Sequence, residues 1–187
     1  MQTLRLVLVY VCLLIAVTPQ QAQSALNLKY GLLQLRFSDE QSSWHFGQSF
    51  GFDVLVEDSR LLFMPGLHYQ QYTIAQRASR NGSRNQDFYH QIQLTVNLGT
   101  WIFADRYFKL RVYGGGHLNF LIGVDKNSQG VTSDNTTAVH PGVQAGTQVM
   151  IWRFTFDVRY IHDFRKYILQ RPESRLLGWE FLFGVAL

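Results

Sequence analysis

Beyond about residue 25, apolar and polar positions alternate with a period of two nearly everywhere, and no helical period is sustained. The C-terminus is the clearest case. Trp179, Phe181, Phe183, Val185 and Leu187 share one parity, while Gly178, Glu180, Gly184 and Ala186 share the other. Trp152, Phe154, Phe156, Val158 and Tyr160 likewise oppose Arg153, Thr155, Asp157, Arg159 and Asp163. Phe108, Leu110, Val112, Leu118, Phe120 and Ile122 stand against Lys109, Arg111, Tyr113, Gly115, His117 and Asn119, and Ile92 to Leu98 against Gln91 to Gly99. Phe46, Phe50, Phe52, Val54 and Val56 oppose Gly47, Ser49, Gly51, Asp53 and Glu57. Each segment reads as a strand with one apolar face and one small or polar face.

Adding 26–37, 60–73 and 141–151 brings the number of strands to eight, each long enough for the roughly 9 to 11 tilted residues that cross a bilayer. Short connections at 57–60, 104–107 and near Ile151-Trp152 alternate with longer ones at 74–86, 125–139 and 165–175, and a shorter one at 39–43. Short turns on one rim and long loops on the other predict an all-β, eight-stranded antiparallel up-and-down transmembrane β-barrel with both termini periplasmic. Trp101 falls on the inward parity, which predicts a bulge or an altered register in its strand.

Alternation alone fits a soluble barrel equally well, so the polar face decides. A soluble barrel turns that face to water and carries about 25 to 35% charged surface. Here the polar face is rich in Gly, Gln, Thr, Ser and Asn, and only 16% of the chain is charged. Aromatic residues gather toward the strand ends, with Trp152 and Phe108 near the short turns and Tyr69, Phe88, Phe164 and Trp179 near the long loops, as in lipid-headgroup belts. These features favour a membrane barrel over a soluble extracellular ligand-binding one.

The first 24 residues read as a signal peptide, with Arg5, an apolar run from Leu6 to Val17 and small residues placed for cleavage after Ala22 or Ser24. The barrel domain then spans 25–187. Removing Arg5 lowers the formal charge from +4 to about +3, and no basic tract interleaved with aromatics points to nucleic acid. The single cysteine, Cys12, lies inside the signal, leaving no thiol for a disulfide, a nucleophile or a metal.

The chain resembles the small eight-stranded outer-membrane barrels of the OmpX and PorT-like type, most like those of Bacteroidota. The resemblance rests on Asn27-Leu28-Lys29-Tyr30-Gly31, the stretch Phe154 to Tyr160 and the final stretch Gly178 to Leu187. It implies recognition by the barrel-assembly machinery through the last strand, although Leu187 stands where Phe is frequent and Leu182 where Gly is customary. A PorT-like identity would further imply an accessory role in protein secretion.

Two groups of residues offer chemistry. The inward charges Asp53, Glu57, Lys109, Arg111, Arg153, Asp157, Arg159 and Glu180 predict either an ion-paired plug or a gated water or ion path, and the narrow bore of eight strands favours the plug. In the long loops, Arg77, Arg80, Arg84, Arg165, Lys166, Arg171 and Arg175 suit contacts with lipopolysaccharide phosphates. The six histidines, His45, His68, His90, His117, His140 and His162, show no zinc spacing, and His68 and His117 are expected in the lumen. No metal or other cofactor is expected. His162-Asp163 is the most suggestive pair for a lipid A-modifying enzyme, but neighbours in a strand point to opposite faces. The expectation is therefore a non-enzymatic, monomeric outer-membrane barrel of structural or envelope-interaction type.

Overall fold

Eight runs of alternating residues become eight strands: β1 (Gln23–Phe37), β2 (His45–Asp58), β3 (Leu61–Thr73), β4 (Phe88–Ala104), β5 (Phe108–Val124), β6 (Val139–Ile151), β7 (Phe154–Lys166) and β8 (Arg175–Ala186). The computed structural model describes residues 23–38, 44–58, 61–73, 88–124, 137–166 and 175–187. Most of the expected signal peptide and the larger part of each long connection lie outside these residues.

The strands pair antiparallel in sequence order and close as a barrel, β8 returning to β1 from Asn27↔Ala186 to Phe37↔Leu176. Closure leaves no open sheet edge, which a spanning sheet requires because hydrocarbon cannot hydrogen-bond a free N–H or C=O. Pro65 shows where the ladder gives way. It pairs with Val96 of β4, but the β2–β3 register passes directly from Asp53↔Gly66 to Val56↔Phe63. Proline has no N–H to donate there.

The barrel is inside-out relative to a soluble one. Among the described residues 28 large apolar side chains are exposed, most of them on the outer wall, including Leu32, Phe46, Phe50, Leu98, Phe154 and Phe183. Soluble monomers rarely expose contiguous apolar patches above a few hundred Å². The outward charges among the described residues, such as Arg36, Arg165 and Arg175, stand near the long-connection rim or, like Arg106 and Arg153, at the short turns. At the midplane of a membrane barrel an outward Arg or Lys costs about 2–4 kcal/mol, falling to near zero at the interfaces. The expected belt aromatics Trp152, Phe108, Tyr69, Phe164 and Trp179 are all exposed on this wall, and Phe88 is half-buried.

The inward face is not uniformly polar. Beneath the long-connection rim, Leu33, Leu35, Phe37, Tyr72, Tyr89 and Leu176 form an apolar layer inside the bore, with the Tyr72 and Tyr89 rings stacked 5.8 Å apart. Toward the short turns Leu55, Leu62, Met64 and Tyr113 form a second layer, against which Ala25 and Trp101 pack. Most of the buried polar residues lie between the two layers, but His45, at the outer end of β2, is buried at the level of the outer layer with its ring against Phe37. Trp101 does point inward, and the β4–β5 register shifts between Trp101 and Phe103. At the β6–β7 turn Trp152 takes a left-handed backbone (φ 58°), and its N–H donates to Tyr107 O at 2.7 Å, tying two short turns together.

Candidate functional site

The middle of the bore is held by charges on alternate residues of different strands. Lys29 of β1 sends its ammonium between two carboxylates, 2.5 Å from Asp53 Oδ2 and 2.5 Å from Asp157 Oδ2. Gly66 makes room for this arrangement, because a Cβ there would collide with Asp53 Oδ1. The other oxygens of the pair are engaged as well: His68 Nε2 lies 2.9 Å from Asp53 Oδ1, and the Tyr113 hydroxyl donates to Asp157 Oδ1 at 2.5 Å. Arg159 Nε donates to Glu180 Oε2, while Gln70 Nε2 donates to Glu180 Oε1 at 3.3 Å. Gln93, Gln91 and Tyr72 carry the hydrogen-bond chain on to the outer apolar layer. Buried charges are tolerated only when paired and hydrogen-bonded. With Arg111, the cluster sets three cations, Lys29, Arg111 and Arg159, against three carboxylates, Asp53, Asp157 and Glu180.

Of the residues expected in the lumen, Asp53, Arg111, Asp157, Arg159 and Glu180 are buried there together. Arg111 differs in its partners: no hydrogen bond among the described residues takes up its guanidinium, which lies 5.3 Å from the Trp101 ring centre. Lys109 approaches the same ring at 5.3 Å, and Trp101 Nε1 donates to Glu57 Oε1 at 3.0 Å. Glu57 and Lys109 thus belong to the short-turn mouth, half-buried around Trp101. Arg153 joins neither group. It is exposed beside Trp152, with its guanidinium 5.7 Å from that ring, because it lies in the β6–β7 turn, between Ile151 at the end of one strand and Phe154 at the start of the next, and not in the wall. Lys29 was missed in the sequence; its signal is the set Asn27, Lys29 and Gly31 opposing Leu28, Tyr30 and Leu32.

A second buried cluster lies nearer the long connections. His117 Nε2 is 2.5 Å from Asp163 Oδ1, and Asn119 Nδ2 donates to both Asp163 oxygens at 3.2 Å. His68 and His117 are in the lumen as expected, whereas His162 is half-buried on the opposite parity from Asp163. Among the described residues no group of His, Cys, Asp or Glu could hold a metal ion.

At the outer rim Arg165 and Arg175 are exposed, and the backbone register places Lys166 directly across from Arg175. Arg36 lies on the adjoining strand, its guanidinium 5.3 Å from the exposed Trp44 ring. Arg77, Arg80, Arg84 and Arg171 lie outside the described residues.

No protein-family model matches the chain, and no curated protein matches it. Solved structures do. Neisserial surface protein A aligns over 89% of this chain and 99% of its own, with TM-score 0.56 and 14% identity. The outer membrane enzyme PagL aligns over 86% and 99%, with TM-score 0.56 and 12% identity. Ail, the attachment invasion locus protein of Yersinia pestis, solved with the heparin analogue sucrose octasulfate, aligns over 90% and 100% at TM-score 0.51 and 10% identity. The fold is that of the small outer-membrane barrels. At such identities the likeness carries no activity across, and one of these barrels is an enzyme. Within this fold the long connections and the basic residues beside them share one rim, and the filled bore lies beneath them.

Proposed function

We propose that the chain is exported to the outer membrane, folds as a filled, non-catalytic barrel, and works at the envelope surface by contacting lipopolysaccharide phosphates with the basic residues of its long-connection rim. The observation that carries this reading is the β7–β8 junction. Lys166 opposes Arg175 in register with Arg165 beside it, and among the described residues no carboxylate pairs with Arg165 or Arg175. Exposed cations of one sign gathered at one rim repel one another, so the exposed Arg165 and Arg175 favour an anion there. Guanidinium groups bind phosphate in bidentate fashion. Export by a signal peptide cut after Ala22 leaves β1 whole, because the strand begins at Gln23.

Changing Arg77, Arg80, Arg84, Arg165, Lys166, Arg171 and Arg175 together to Gln tests the reading in a lipopolysaccharide pull-down over a range of salt. Retention is expected to fall, and what remains to lose its salt dependence. Unchanged retention by a folded variant overturns the proposal. Surface interaction of the OmpX kind fits this rim, and an accessory secretion role of the PorT kind would require a protein partner as well.

The competing reading is a lipid A-modifying enzyme, and the His117–Asp163 pair is what favours it. Both residues face the bore and are fully buried, away from any acyl chain on the outer wall. Mass spectrometry of lipid A incubated with and without the purified barrel separates the two, since only an enzyme changes the acyl mass.

A further inference from the structure

The outer wall of β1 to β4 carries an uncharged polar row within an otherwise apolar surface. The Tyr30 hydroxyl donates to Gln48 Oε1 at 3.1 Å, and Gln48 Nε2 donates to Gln71 Oε1 at 2.8 Å. Gln71 stands opposite His90 in register, and His90 Nδ1 lies 2.6 Å from the Tyr69 hydroxyl. All of these contacts are on the exposed face. Hydrocarbon offers such groups no partner beyond one another, so a row of them suits a place where lipid itself is polar. The row does not exhaust itself: among the described residues no bond takes up the amide nitrogen of Gln71.

Above the row on the same wall stand Arg36 and Trp44, the guanidinium 5.3 Å from the ring centre. Trp44 is four residues from Gln48 toward the rim, which at about 3.3 Å per residue and a tilt of roughly 45° is about 9 Å of height. The headgroup layer of an ordinary phospholipid is only about 5–8 Å thick. A cation and an aromatic face that far above a hydrogen-bonding row suit a taller headgroup. From Gln48 toward the short turns, Phe50 and Leu28 return the wall to apolar side chains, while Leu32 pairs with Gln48 and the exposed Phe46 stands between Gln48 and Trp44.

We infer that the β1–β4 wall is a binding strip for a phosphorylated glycolipid of the outer leaflet. Arg36 meets a phosphate and the Trp44 ring lies against a sugar. The Gln48–Gln71 row hydrogen-bonds the acyl amide groups and acyl-chain hydroxyls where the chains begin, groups that phosphatidylglycerol lacks there. The inference rests on the outward orientation of the long connections proposed above, but it uses none of the seven basic residues assigned there.

The test is native mass spectrometry of the full-length barrel folded in vesicles and extracted with mild detergent. Three lipids serve as probes: bis-phosphorylated lipid A, lipid A stripped of phosphate, and phosphatidylglycerol. Wild-type protein is expected to retain the phosphorylated lipid A best. Loss of two hydrogen-bonding side chains in Gln48→Leu/Gln71→Leu should lower retention of both lipid A forms about tenfold while leaving phosphatidylglycerol unchanged. Arg36→Gln should lower only the phosphorylated form. A heat-dependent gel shift verifies that each variant is a closed barrel.

If folded Gln48→Leu/Gln71→Leu protein retains lipid A like the wild type, the inference fails. A wild-type dimer that Gln48→Leu/Gln71→Leu dissolves would also overturn it, because the wall would then be covered by a second copy. Should only the seven-position loop variant lose lipid A, this inference falls and the proposed function stands. The opposite pattern, loss in Gln48→Leu/Gln71→Leu alone, removes the loop contacts and keeps the strip.

Discussion

Lys29→Met removes the one ammonium that separates two buried carboxylates. Each lies 2.5 Å from Lys29 Nζ, so their facing oxygens are no more than 5.0 Å apart, the sum of the two contacts. At that spacing, and with an effective dielectric of about 20, two negative charges repel by about 3 kcal/mol. The neighbouring hydrogen bonds from His68 and Tyr113 stay in place and relieve part of this. Breaking a buried pair by removing one partner commonly costs about 3–5 kcal/mol. A loss of about 3–5 kcal/mol is therefore expected in urea unfolding of the barrel in lipid vesicles, followed by tryptophan fluorescence and by the fraction that migrates as unheated barrel. The companion variant Lys29→Met/Asp157→Asn leaves one carboxylate still facing His68 and should recover most of the loss. A Lys29→Met barrel as stable as the wild type, or one that Asp157→Asn does not rescue, would refute the view that the bore is held by this triad.

Other consequences follow from the bore and the wall. Wild-type barrels in planar bilayers should show no steady conductance, and Trp101→Ala, which removes the ring lying across the short-turn mouth between Lys109, Arg111 and Glu57, should not open a path unless the inner layer of Leu62 and Met64 is also cut back; steady current from the wild type would contradict the filled bore. Gly31→Val should abolish closure, seen as loss of the heat-dependent gel shift, because a side chain at Gly31 collides with the backbone of Phe181 and Leu182 on β8; Gly116→Ala, whose nearest neighbour would be Gly142 O at 3.7 Å, should fold normally.

The strands were readable because outward aromatic and branched residues recur at every second position, as in Phe46, Phe50 and Phe52, so their number and the faces they turn outward and inward could be assigned from the chain alone. β1 hid its polar half. Leu33, Leu35 and Phe37 occupy the inward parity at the outer end, so alternation fades into an apolar run and Lys29 loses its context. Parity assigns a face but says nothing of depth, and depth is what divides the bore into an apolar layer, a charged middle and a second apolar layer. Nor could pairing be read: Lys29 and Asp157 are 128 residues apart and meet only because the barrel is filled from opposite walls. Arg153 shows the reverse error: its parity is inward, but it belongs to the turn before β7, where parity no longer assigns a face. The outer polar row was missed because Gln48 and Gln71 look like ordinary breaks in an apolar face until the register sets them side by side.

The two apolar layers closing the bore also bear on how many copies a cell can hold. A hollow barrel adds leakage with each molecule inserted, which limits its density or demands a gate. A barrel filled from Tyr72 down to Met64 is expected to add none, which would leave its density in the membrane constrained by area and by the supply of neighbouring lipid rather than by permeability. If the barrel acts through its outer wall and rim as proposed, dense coverage is then an available strategy.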